Sequence, residues 1–430
     1  TTLEVDVNNF IDAETLANVP LAPPPDVSRT VLMTGATGFL GRFLCLEWLE
    51  QLSKVDGKLI CMVRAADPET ARRRLASIYE GSDPKLEERF KALSDKHLEV
   101  IVGDIADPGL GLDSVMFNRL ADEVDHIVHP AALVNHVLSY QDLFAANVVG
   151  TAELVRLALT KRQKGIDFIS SVATTHLLER EVGNNEDTPL RPKITLSNRY
   201  ASGYGASKWA GEQLLHSAHR RFGLPINIFR GDMMLAHRGY HEQINLPDVF
   251  SRLLYSVVTT GVAPKSFYQL TEDGSRQKAH YDGLPVDFIA SAVVGICVQP
   301  HRGVRTYHVL NHHMDDGMSL DQFVDWIEEA GYSVTRIPSH SEWFRQFEAR
   351  LRALPEDKRQ RSSINVLSSL GRPYPANERM FGSEHFQAAV RKLSAGPDVP
   401  HLDRAFIFKC LDDLCRLGLI PEPKKLASAA

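Results

Sequence analysis

At 430 residues, 43% of them hydrophobic and 24% charged, the chain has ordinary globular usage and enough apolar material for more than one core. A formal charge of −6 argues against general nucleic-acid binding; no apolar run reaches the roughly 18 residues of a membrane helix, and no basic, apolar leader opens the chain. The cysteines (Cys45, Cys61, Cys297, Cys410 and Cys415) are dispersed and odd in number, so they read as reduced thiols of a cytoplasmic protein.

Residues 1–28 hold an amphipathic piece, NNFIDAETLANV, and then Leu21-Ala22-Pro23-Pro24-Pro25. Consecutive prolines favour an extended conformation, so the stretch reads as a linker from something upstream. The start at Thr1 and the ending Lys425 to Ala430 suggest a piece cut from a longer protein. From Thr30 the chain reads TVLMTGATGFLGRFLCLEW: an apolar strand, then Gly35, Gly38 and Gly41 with Thr37, Phe39 and Leu40 among them, then a helical pattern. A strand that leaves such a turn as a helix aims backbone N–H groups and the positive end of the helix dipole at one spot, which suits a pyrophosphate. Gly35 permits the tight turn, Gly38 close approach of the phosphates, and Gly41 close packing of the helix. The spacing is G-x-x-G-x-x-G, not the commoner G-x-G-x-x-G.

Further strands are predicted at residues 58–64, 98–104, 126–132, 167–172 and 226–230, several of them nearly all apolar, as strands buried on both faces of a parallel sheet are. Helical patterns separate them, and Asp67-Pro68-Glu69 offers one helix an N-cap and a proline in its first turn. The alternation predicts an α/β fold, a doubly wound Rossmann sheet over residues 29–235. Beyond it, DVFSRLLYSVVTTG, SLDQFVDWIEEAGY, EWFRQFEARLRAL and FIFKCLDDLCRLG predict a smaller, mostly helical domain over residues 236–430. About residues 285–311 return to the sheet, with TYHVLN as the returning strand.

Arg64 closes the second strand, where NAD-specific folds carry an acidic residue for the ribose 2′-hydroxyl. A guanidinium there pairs with a 2′-phosphate instead, which selects NADPH. Arg74 can add to that pocket, while Arg72 and Arg73 read as a solvated basic face. Asp104, followed by Ile105, is placed to reach the adenine or to cap its loop. Tyr204 and Lys208 in YGASK lie at i and i+4 on one helix face. A free tyrosine has a pKa of about 10, too high for efficient proton transfer near neutrality, and a neighbouring ammonium lowers it. His308, His312, His313, Asp315 and Asp316 fit no zinc spacing and read as a polar loop; Trp326, Trp343 and Phe344 read as core.

TGATGFLG, Asp104, Ser170-Ser171 and YGASK together resemble an extended short-chain dehydrogenase/reductase. The resemblance implies that Ser171, rather than Ser170, polarises a carbonyl and that Tyr204 transfers the proton. It also implies that Lys208 holds the nicotinamide ribose and tunes the tyrosine, and that Asn147 positions Lys208 through water. HPAALVNHVLSYQDLFAANVVGTAEL, YGASKWAGE, INLPDVF, HYDGLPVDFIA and MDDGMSLDQFVDWIEEAGY narrow the likeness. Nearly the whole chain resembles the terminal reductase domain of carboxylic acid reductases, related to those ending many nonribosomal peptide synthetases. That implies an acyl thioester brought on the phosphopantetheine arm of an upstream carrier protein, beyond an adenylation domain. It implies NADPH lying against Ala131 and Ala132, an aldehyde product, and an arm channel in the helical domain. His129 stands where the family's usual run has Asp, and tolerance is expected because the alanines, not that side chain, approach the cofactor. Two other readings stay open: a nucleotide-sugar epimerase or dehydratase, which recycles its nicotinamide, and a non-catalytic NADPH-binding sensor, which needs no Tyr/Lys pair. No metal, nucleic acid or membrane is implied.

Overall fold

Seven apolar runs become seven parallel strands in the computed structural model, which describes residues 2–135, 137–179, 183–196, 202–376, 381–393 and 398–424. They are β1 (Thr30–Thr34), β2 (Lys58–Val63), β3 (Leu98–Val102), β4 (His126–His129), β5 (Gly165–Ser171), β6 (Ile226–Gly231) and β7 (Val304–Val309). Their order across the sheet is β7-β6-β5-β4-β1-β2-β3. Register is continuous, with Val31 between Leu59 and His126 and Ile228 between Phe168 and Thr306. Because β2 and β3 grow to one side of β1 and β4 to β7 to the other, the order reverses between β1 and β4. Ligands of such sheets sit beyond the strand C-termini at that reversal.

The connecting helices are α1 (Phe39–Ser53), α2 (Pro68–Ser77), α3 (Pro84–His97), α4 (Ser114–Glu123), α5 (Gly150–Leu159) and α6 (Ser202–Phe222). Asp67 caps α2 by accepting the Thr70 N–H, with Pro68 in the first turn, as its sequence predicts. One apolar layer runs from Leu32, Ile60, Ile101, Ile127, Ile166 and Ile228 of the sheet into Leu154, Ala158 and Leu215 of the helices. All of the cysteines are free, and Cys45 and Cys61 face each other, both buried, Sγ to Sγ 3.9 Å.

The sheet belongs to a unit made of Thr1–Asp232, Ile289–Val309 and Met380–Asp398, which corrects the predicted boundaries twice. First, the presumed linker is mostly part of the fold. Thr2–Leu3 pairs antiparallel with Ile194–Thr195, Asp12 caps the helix Ala13–Ala17, and Val7, Ile11 and Leu16 enter the apolar layer. Amphipathic residues at that spacing need cover, and the sheet's helices supply it. Only from Leu21 does the chain lie largely exposed, with Pro24 buried. Second, the helix Glu384–Lys392 packs on β7. Its first N–H groups, with no side-chain cap of their own, meet the Glu186 carboxylate, which accepts from His385 at 2.6 Å, Phe386 at 2.9 Å and His308 at 3.0 Å. One buried carboxylate thus ties a loop, a strand and a helix start that lie far apart in sequence.

The other unit comprises Met233–Phe288, Leu310–Arg379 and Val399–Ala430, of which Lys425 to Ala430 lie outside the described residues. It is mostly helical as predicted, with α7 (Val249–Thr260), α8 (Leu320–Glu329), α9 (His340–Arg352) and α10 (Arg404–Arg416). Trp343, Phe347, Phe267, Phe323, Trp326 and Leu411 share one core, against which Phe344 packs. Two short parallel strand pairs were not predicted: Val262–Pro264 with Thr335–Ile337, and Met234–Leu235 with Leu284–Pro285. Two or three residues carry no period to read. The histidine-rich stretch divides between the units. His308 is in β7, whereas His313 donates through Nε2 to the Val399 carbonyl oxygen at 2.6 Å, and Asp316 pairs with His401 at 3.1 Å.

Candidate active site

The glycines of the first turn differ in what they permit. Gly35 has φ +66°, and a Cβ there would sit 2.7 Å from the Ala131 backbone. A Cβ on Gly41 would fall 1.9 Å from the Gly35 carbonyl oxygen, so α1 can seat on the turn only without a side chain. Gly38, the N-cap of α1, is exposed and would meet nothing nearer than that oxygen at 3.3 Å. It supplies no capping side chain. The result is an open helix N-terminus ringed by close backbone, the shape of a diphosphate cradle. Thr37 and Phe39 beside it are half-buried, and Leu40 is buried.

Arg64 follows β2 with its side chain 71% exposed and its guanidinium 3.9 Å from the Asp104 carboxylate. Arg74 of α2 donates to the Arg64 carbonyl at 2.6 Å, so the two arginines and Asp104 stand together at the sheet edge. Asp104 also accepts the Ala106 N–H at 2.9 Å, the loop-capping alternative, which leaves its second oxygen toward Arg64. Ile105 backs Gly150 at the start of α5, where a Cβ would lie 2.5 Å from its carbonyl oxygen. These residues fit an adenosine phosphate on chemical grounds: an exposed guanidinium pair beside a carboxylate, at the strand ends next to the cradle.

At the end of β5, the two serines part ways. Ser170 is buried and donates to Glu212, which pairs with Arg230 at 2.7 Å. Ser171 accepts the Ala173 N–H at 3.1 Å, so its own O–H stays able to donate. On α6, Tyr204 is 7% exposed and Lys208 2%. Between them Ser207 donates to the Tyr204 carbonyl at 2.8 Å and receives the Asn147 amide at 3.0 Å. Asn147 lies in a π-helical turn, Phe144–Val149, a distortion that recurs at functional sites. Its side chain clamps Leu133 from both sides, accepting its N–H at 2.7 Å and donating to its carbonyl at 3.1 Å. Ala131 and Ala132 open that same loop, half-buried.

One electrostatic expectation needs correction. Burial pushes the Tyr204 phenol above its ordinary value. Burial also brings Lys208 down to about 7, the Glu212 carboxylate opposing. Lys208 donates to the Ile169 carbonyl at 2.8 Å and rests 4.7 Å over the Phe168 ring. Two buried hydrogen-bonded groups were not foreseen in the sequence: His129, read as a tolerated departure, and the Glu212–Arg230–His308 set, of which His308 was read as polar loop. In the second, His308 stands 3.1 Å from the Arg230 guanidinium and 2.6 Å from the Gly382 carbonyl. Their signal was polar residues inside apolar strands, which burial must satisfy.

The family described as male sterility protein, an NAD-binding family, matches residues 33–293. A carboxylic acid reductase of Segniliparus rugosus is 47% identical over 424 residues, and one of Mycobacterium marinum 46%. Each alignment takes in 97% of this chain but 36% of the relative, so the chain spans about a third of the length of these curated relatives. The crystal structure of the reductase (R) domain of a nonribosomal peptide synthetase from Mycobacterium tuberculosis superposes with a TM-score of 0.90 at 43% identity, covering 98% of this chain and 100% of that one.

Proposed function

The chain belongs to the terminal reductase-domain family of carboxylic acid reductases and nonribosomal peptide synthetases, within the extended short-chain dehydrogenases/reductases, and on that premise we propose that it reduces a carrier-bound acyl thioester to an aldehyde with NADPH. What supports this is that Ser171 ends β5, that Lys208 donates to the Ile169 carbonyl of the same strand, and that Asn147 reaches the Tyr204 backbone through Ser207. NADPH supplies the hydride when bound. Gly35 to Gly41 would hold its diphosphate, Arg64 and Arg74 its 2′-phosphate, Asp104 its adenine side, and Lys208 its ribose. The Ser171 hydroxyl donates to the thioester oxygen, which strengthens as negative charge develops there. Tyr204 then gives that oxygen its proton. A phenol kept protonated by burial suits this direction, since a developing alkoxide is the far stronger base. The resulting hemithioacetal breaks its C–S bond, leaving aldehyde and a free thiol.

The exposed apolar side chains of Leu133, Val134 and Val137 follow the Asn147-clamped loop and support a non-polar acyl arm at this rim. Partners of the same kind follow for the whole protein: a phosphopantetheinyl carrier domain and an adenylation domain upstream of this chain. A free carboxylate repels hydride and its carbonyl is deactivated by delocalisation, whereas a thioester has neither obstacle. The turn at Gly35 to Gly41 lacks the Lys-Ser/Thr ending of an ATP-binding loop. With NADPH, this chain should oxidise one cofactor per aldehyde from an acyl-coenzyme A or acyl-pantetheine thioester. It should leave benzoate and fatty acids untouched even with ATP and Mg²⁺. ATP-dependent acid reduction by this chain alone would refute the reading, and net NADPH consumption separates it from an epimerase.

A further inference from the structure

His129, the last residue of β4, is 1% exposed and has hydrogen-bond partners on both ring nitrogens. Nδ1 lies 2.8 Å from the Thr34 hydroxyl and Nε2 3.1 Å from the Thr151 hydroxyl. The direction of each bond follows from the neighbours. Thr151 donates its hydroxyl proton to the Asn147 carbonyl at 2.8 Å, so its oxygen can only accept from the imidazole, and Nε2 carries the hydrogen. Nδ1 is then a bare acceptor for the Thr34 O–H. The Thr34 oxygen in turn accepts the Ala131 N–H at 3.4 Å. Every proton in the run is committed, and one tautomer satisfies all of it. Burial, with the Lys208 ammonium second, holds the ring down at about 3, so the imidazole stays neutral across the working range.

The two ends of this run matter more than its middle. Ala131 is the residue against which Gly35 of the phosphate turn packs. Asn147 holds Leu133 and, through Ser207, the backbone of Tyr204. We propose that His129 is a positioning residue: by bridging Thr34 and Thr151 it fixes the cofactor-side Ala131 turn and the Asn147 turn at one spacing, and so sets the distance for hydride delivery. A carboxylate in its place can accept from Thr34 but cannot donate to Thr151. The histidine side chain is therefore not the bystander that the sequence suggested.

The proposal rests on the thioester-reductase reading, and the test separates the two. The parent, His129→Phe, His129→Gln and Thr151→Val are compared by melting temperature, NADPH dissociation constant and single-turnover rate of NADPH oxidation with an acyl-coenzyme A thioester. His129→Phe keeps the ring packing on Phe168, whose centroid lies 5.6 Å away, and removes both bonds. Its single-turnover rate should fall about tenfold to a hundredfold, as for small misplacements of reacting groups, while the NADPH constant changes much less. His129→Gln, whose amide reaches Thr151, should recover most of the rate. Thr151→Val should fall with His129→Phe, and decides the matter alone if that variant does not fold. Parent-like single-turnover rates in His129→Phe and Thr151→Val, measured well below their melting temperatures, would overturn the proposal. So would a loss that His129→Gln fails to recover. A parent that oxidises NADPH with no thioester would instead overturn the functional reading.

Discussion

Tyr204 and Lys208 sit one helical turn apart, yet burial moves their titrations toward the neutral forms. For Tyr204 that is compatible with proton donation; removing only its hydroxyl in Tyr204→Phe should cut turnover by about 10²–10⁴-fold, the usual weight of a general acid, with NADPH affinity retained. Full activity in that variant would remove Tyr204 from the mechanism. For Lys208 the consequence is a pH limit. A lysine brought down to about 7 is charged below that value and neutral above it, and only the charged form attracts a ribose. kcat/KM for NADPH reports the free protein and should decline as pH rises through about 7. In Lys208→Arg, whose guanidinium does not titrate there, the decline should vanish even if the rate is low. The stability sign is opposite. A folded value below the unfolded one means that the unfolded chain binds more protons between the two, so burial of Lys208 costs least at high pH. Arg64 is weighed differently because it is 71% exposed. Charge-assisted bonds are worth about 1.5–3 kcal/mol, and solvent screening puts this one at the low end. Arg64→Ala should raise KM for NADPH about tenfold and leave KM for NADH nearly unchanged; equal use of the two cofactors by the parent would rule out the 2′-phosphate role.

At the level of elements, the turn before α1 makes the sharpest comparison. Gly41→Ala forces a Cβ to within 1.9 Å of a carbonyl oxygen, and neither helix nor turn can give way without moving β1. Overpacking of this kind costs about 1–3 kcal/mol, so both melting temperature and NADPH binding should drop. Gly38→Ala meets one atom at 3.3 Å, so it should melt close to the parent and lose only NADPH affinity. Loss of stability in both, with affinity falling in step, would mean that the turn is merely structural. This loop, the seven strands and α6 were legible because each declares itself locally: an apolar run, a spaced set of glycines, two candidate side chains on one face. The hydrogen-bonded groups were not. Glu186 reaches three N–H groups, two of which lie about 200 residues onward, and His129 joins β1 to α5 across the sheet. Such partners exist only once the fold has brought them together. Lys208 shows the same limit at closer range. The i and i+4 spacing gave its side of the helix, but the Ile169 carbonyl that takes its ammonium belongs to β5.

For the molecule as a whole, the amino-terminal segment decides what can be cut away. Its sequence mixes a proline run with an amphipathic piece, and the prolines invited the reading of a free tether. The apolar residues outweigh them: Val7, Ile11 and Leu16 are 0%, 4% and 8% exposed. Burying a side chain of that size is worth about 1.5–3 kcal/mol, so the three together approach roughly 5–9 kcal/mol as an upper figure. That rivals the whole stability of a typical domain, about 5–15 kcal/mol. Polar anchors add to it. Ser217 of α6 donates to Asp6 at 2.7 Å and receives the Val7 N–H at 3.3 Å, and Lys193 pairs with Glu4 at 2.7 Å. A chain beginning at residue 20 should therefore fail to fold or melt far below the parent, even though every candidate catalytic residue is retained. Replacing Leu21, Ala22 and Pro23 with Gly and Ser is the matched control. All three are exposed, so that change should leave the melting temperature nearly where it was, as surface substitutions usually do. If the shortened chain melted with the parent, the segment would be a tether after all. If the control melted as low as the shortened chain, the exposed strap rather than Val7, Ile11 and Leu16 would be holding the unit together.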